Sequence, residues 1–73
     1  MTANQYTNIA ASQSDGIAAV IDINHEFDAK QAEESGVDLK LLLVAQPIHS
    51  EEAGDIASML VQSGAVRSVF VLE

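Results

Sequence analysis

Three short apolar runs punctuate the chain, at residues 16–23, 41–45 and 69–72. Between them the apolar positions recur at helical spacing. The run 16–23 is compact and partly β-branched, which predicts a buried strand. Leu41, Leu42, Leu43, Val44 and Ala45 predict a second buried strand, stopped by Gln46 and Pro47. Val66 and then Val69, Phe70, Val71 and Leu72 predict a third. Ahead of the first strand, Tyr6, Ile9, Ala10 and Gln13 fall on one face of a helix over residues 3–14, and Asp15-Gly16 reads as its stop and turn. Asp28 predicts the cap of a short helix, with Gln31 at the capping-box position three residues on and Gly36 as its end. Ser50 predicts the start of the next helix. Glu51 and Glu52 sit in its first turn, where the dipole favours negative charge. Ile56, Met59 and Leu60, with Ala53 and Ser63, are its expected buried face, and Gly64 closes it.

This alternation implies an α/β fold: a three-stranded parallel sheet, right-handed crossovers, and helices packed on it. One domain is expected over residues 1–73. Its helix and turn occupy 1–16, and strand–helix–strand–helix–strand occupies 17–73. No internal repeat or linker interrupts it.

Composition narrows the function. Eleven acidic residues face three basic ones, Lys30, Lys40 and Arg67, for a net charge of −8. Nucleic-acid binding draws much of its affinity from cations set near phosphates, and three scattered cations build no such surface, so direct nucleic-acid binding is not expected. The absence of cysteine excludes disulfides and thiolate metal sites. A chain this short buries only about 60% of the surface exposed on unfolding, so stability should be marginal. The polar start carries no signal-peptide pattern, and the apolar runs fall far short of the roughly 20 residues that span a bilayer. A cytoplasmic location and no membrane partner are the expectation.

The motifs carry a resemblance. Residues 19–28, AVIDINHEFD, are similar to the AFIDAEHALD strand end of the bacterial RecA recombinases. Gly36-Val37-Asp38 followed by Leu42-Leu43-Val44-Ala45-Gln46-Pro47 resembles that family's GVD…LLVSQP. Residues 50–66 resemble its GEQALEIADMLVRSGAVD. The match runs from about residue 9 to 71. It implies the middle of a RecA-like phosphate-loop ATPase core, with strand 17–23 flanked by 41–45 on one side and 69–72 on the other.

The departures bear on activity. The chain contains no Gly-rich loop with Lys and Ser/Thr to cradle phosphates, and it is expected to begin within the helix that would follow such a loop. Where the family has a glutamate that activates water, this sequence has Asn24, and an amide cannot accept that proton. Leu72 stands where the resemblance places a magnesium-holding aspartate, and Gln31 where it places a tyrosine against adenine. Asp28 alone matches a nucleotide-contacting position. It is the one candidate cofactor-contacting residue, set against a sufficient role as a helix cap. The family's DNA-binding loops would lie further on. Leu72-Glu73 also has the look of a cloning scar, in which case the aspartate would have been lost to a cut.

Other chemistry finds little support. Asp22, His25, Glu26 and Asp28 form an acidic and imidazole cluster near a strand end, where open α/β sheets place their crevices. A metal would need three or four converging ligands, which spacing alone does not supply. Asp22 is expected to bond backbone groups at the strand end, His49 to sit at a helix entry, and Met59 to be core. No serine lies in a G-x-S-x-G elbow. The expectation is therefore no enzyme activity, no cofactor and no metal. A catalytically inactive RecA-like domain would act through protein interaction, self-associating through a sheet edge. Two alternatives are an excised or engineered fold fragment without activity of its own, and a nucleotide binder completed in trans by a partner.

Overall fold

The structure, a computed structural model, describes residues 3–49 and 51–72, with side chains from Gln5 onward. Ser50, assigned above as a helix start, and Glu73 lie outside the described residues. Helix α1 spans Ala3–Ser12 and tightens into a 3₁₀ turn at Gln13–Asp15. Strand β1 follows at Ala18–Asp22, α2 at Ala29–Glu34, β2 at Leu42–Ala45, α3 at Glu52–Ser63 and β3 at Ser68–Leu72. The strands form one parallel sheet in the order β2-β1-β3, as expected for the α/β reading.

Glycine sets the sharpest corner. Gly16 has φ 139°, a conformation that side-chain-bearing residues rarely adopt. A Cβ there would also lie 2.7 Å from Arg67 Cγ. The Arg67 amide donates to the Ile17 carbonyl at 2.8 Å, so the two segments are joined just before β1 and β3 begin.

Right-handed crossovers explain the layering. The chain steps from β1 outward to β2, then back across β1 to β3, so α2 and α3 must lie on opposite faces of the sheet. Side chains alternate along each strand, and the register puts Ala18, Val20 and Asp22 on one face with Leu42, Phe70 and Leu72. That face meets α1 and α2 in the main core, where Tyr6, Ile9, Ala32 and Val37 pack on Ala18, Val20 and Leu72. On the other face Ala19 and Ile21 are fully buried, and α3 lies across β1 and β3.

Several burial expectations are corrected. Strand 41–45 is not buried: Leu41 belongs to a 3₁₀ turn at Leu39–Leu41, and Leu43 and Val44 are exposed at the sheet's edge. The length and composition of an apolar run do not distinguish a central strand from an edge one. Met59 is 69% exposed rather than core. Ala53 is the buried residue of α3, with Ile56 and Leu60 half-buried. Ser63 is exposed too; its hydroxyl donates to the Leu60 carbonyl and accepts from the Ala65 amide beside the left-handed Gly64 cap. α3 meets β1 and β3 with one side only, so its outer half stays in solvent.

Candidate functional site

The C-terminal ends of parallel strands are where α/β sheets place their crevices, and here they carry the predicted cluster. β1 ends in Asp22, whose side chain is 1% exposed. Its Oδ1 accepts from the Glu26 amide at 3.0 Å, and its Oδ2 from the Phe27 amide at 2.7 Å and Gln46 Nε2 at 3.1 Å. Burial alone would raise the pKa of this carboxyl. The Glu26 and Phe27 amides, the Gln46 amide and nearby His25 outweigh it and hold the carboxyl below its ordinary value of 3.8. Asp22 is therefore an ionised anchor that folds the loop 23–27 back over the strand.

The loop is fixed at its other points as well. Ile23 donates to the Leu72 carbonyl at 3.0 Å, extending the ladder to β3. His25 has φ 56°, the one positive value among the described non-glycine residues. Its Nε2 lies 3.1 Å from the Pro47 carbonyl. Phe27 meets Tyr6 edge-on, with ring centroids 5.8 Å apart and planes at 76°.

Asp28 caps α2: its Oδ1 accepts from the Gln31 amide at 3.1 Å. The reciprocal half of the predicted capping box has a different partner. The Asp28 amide donates to the Tyr6 hydroxyl at 2.8 Å, so α1 rather than the Gln31 side chain closes the helix start.

The cluster does not converge. Asn24, His25, Glu26 and Asp28 are exposed around the loop while Asp22 points into it. Among the described residues, no group of three or more His, Asp or Glu side chains is placed to hold a metal ion. Gln31 lies exposed on α2, and His49 enters α3 through its carbonyl, which accepts from the Glu52 amide at 3.0 Å. Leu72, by contrast, is 1% exposed within the main core.

Three contacts were invisible in the pattern of the chain: Gln46 to Asp22, His25 to Pro47, and Tyr6 to Asp28. Each joins residues more than twenty positions apart, and only the polar character of Gln46 directly after an apolar strand hinted at one of them.

The RecA N-terminal domain model matches residues 2–73. The chain belongs to the RecA N-terminal domain family. Curated RecA proteins agree. Protein RecA of Rhodopirellula baltica is 49% identical over 61 residues, covering 84% of this chain and 16% of that protein. Those of Clavibacter michiganensis and Chlorobium limicola are each 46% identical over the same length, covering 17% of each relative. The chain thus spans about one-sixth of the length of the RecA proteins it matches. No helix among the described residues is long and apolar enough to cross a membrane.

Proposed function

We propose that this RecA segment carries out no nucleotide chemistry of its own and acts by associating with protein, first of all with a second copy of itself, in a recombination or repair setting. The observation that carries the reading is Asn24, which stands mid-chain where the resemblance places the water-activating glutamate, and Leu72 agrees with it. At the end of β3, where the resemblance places a magnesium-holding aspartate, an apolar side chain packs with Tyr6, Ile9 and Val20. A carboxylate buried there without a partner would cost several kcal/mol, so the position serves the core.

At Asn24 an exposed amide after β1 cannot take a proton from an attacking water. Asp22, the buried carboxylate beside it, already accepts three hydrogen bonds and serves as the loop's anchor. Asp28 does its work as the cap of α2.

The sheet edge supports association. Among the described residues β2 pairs with β1 alone, and Leu43 and Val44 stand exposed on it, with Leu39 and Leu41 just ahead and Lys40 the one charge in the stretch. An apolar edge with few charges is a template for another strand. The net charge of −8 opposes the meeting of two copies, so pairing should strengthen as salt screens it.

Titrating ATP with magnesium while following thermal unfolding tests the chemical half of the proposal. A ligand at 100 times its dissociation constant adds about 2.7 kcal/mol, a large fraction of the stability of so small a domain. The expected result is no shift at millimolar ATP and no release of phosphate. A dose-dependent shift with turnover by the pure chain would overturn the reading. A shift without turnover would favour a nucleotide binder completed by partner residues.

A further inference from the structure

The loop over β1 and the connection from β2 to α3 are tied together at two separate points. Gln46 Nε2 donates to Asp22 Oδ2, and His25 Nε2 meets the Pro47 carbonyl. A carbonyl can only accept, so Nε2 carries the proton in this contact. The second tie has a cost. His25 holds φ 56°, in the left-handed region, where a residue with a side chain is disfavoured by roughly 1–2 kcal/mol. Histidine enters this region more readily than most residues that carry a side chain, though less readily than glycine. The conformation is kept because it carries the ring across to Pro47 while the Glu26 and Phe27 amides reach Asp22.

Pro47 is buried, and the His49 carbonyl accepts from the Glu52 amide at the start of α3. Between them Ile48 projects into solvent, 85% exposed.

We propose that these ties form a clasp that makes the loop 23–27 and the connection 46–49 one mechanical unit, with His25 as its positioning residue. A partner that grips the exposed Asn24–His25 turn then also sets the position of Ile48 and the entry of α3, and the reverse holds by linkage. The clasp is independent of whether the chain binds nucleotide.

Nitrogen relaxation on the 73-residue chain tests this in both directions. His25→Gly removes the ring but suits the left-handed backbone, so the fold should be retained. The expected result is that Ile48 and His49 pass from rigid, with order parameters near ~0.85, to flexible, below ~0.6. Gln46→Ala, which alters the other side, should loosen residues 24–26 in the same way. An unchanged melting temperature in both variants would set the effect apart from general destabilisation. If loosening in His25→Gly stays within residues 23–27, or if Gln46→Ala leaves that loop rigid, the two segments are independent and the clasp is wrong.

Discussion

The two faces of the sheet use the same three strands and reach different ends. On one, Ala18, Val20 and Leu72 meet two helices, and Tyr6, Ile9, Ala32 and Val37 close over them. Polar groups on this side are paired across long sequence distances: the Gln13 amide bonds the Asp38 and Leu41 carbonyls and accepts from the Asp38 amide, and the Tyr6 hydroxyl takes the Asp28 amide. On the other face a single helix covers the central strand. Ala19 and Ile21 are buried beneath it, while Leu43 and Val71, one on each outer strand, are nearly half exposed. The first face shows how a short chain without disulfides builds a core. The second shows what remains when one helix must cover a sheet wider than itself, namely apolar surface at both margins and on the outside of α3.

If that contrast is right, substitutions on the two faces should differ most in their effect on stability. Tyr6→Ala removes a fully buried ring, its edge-on contact with Phe27 and the acceptor for the Asp28 amide. It should cost about 3–5 kcal/mol in urea unfolding, close to the whole stability of so small a domain. Met59→Ala, on the outside of α3, should stay within about 0.5 kcal/mol. A similar cost for the two would erase the distinction.

Asp22→Asn sharpens the contrast at the sheet's end. An amide there sets an N–H against the donors that Asp22 accepts, with an expected cost of about 2 kcal/mol. The pH dependence carries its own sign. The folded carboxyl sits below its ordinary value of 3.8, so its stabilisation is complete above that value and is lost as pH falls through the lower, folded one. The variant should therefore lose less stability on acidification than the parent. Parallel acid-unfolding curves would show that Asp22 is not the anchor described.

Gly16→Ala probes the point where β1 and β3 start together. The strained φ and the contact with Arg67 Cγ predict a loss of about 1–3 kcal/mol, read as a lower melting temperature. Leu43→Ser lies at the small end, with stability held within about 0.5 kcal/mol and self-association reduced.

The strands, their order and the family were legible in the sequence because they rest on local pattern and contiguous motifs. Asp22 was legible too: a carboxylate ending an apolar strand must find partners, and loop amides are the nearest. Burial was less legible. Leu43 and Val44 have the composition of a core strand, and their exposure follows from sheet order, which leaves β2 at an edge. Met59 fits a helical stripe, but it stands on the side of α3 that the sheet does not cover. The departures at Asn24 and Leu72 were readable as residue identities, whereas the packing of Leu72 with Tyr6 and Ile9 depends on α1 lying across the sheet.

Sedimentation velocity over a wide range of concentration tests the central claim most directly, comparing the parent chain with Leu43→Ser as salt rises from about 0.1 M to about 1 M, where the screening length shrinks from about 10 Å to about 3 Å. The account predicts that the parent associates more at higher concentration and higher salt, and that the variant, equally stable, remains largely a monomer. A parent that stays strictly monomeric under every condition would contradict it.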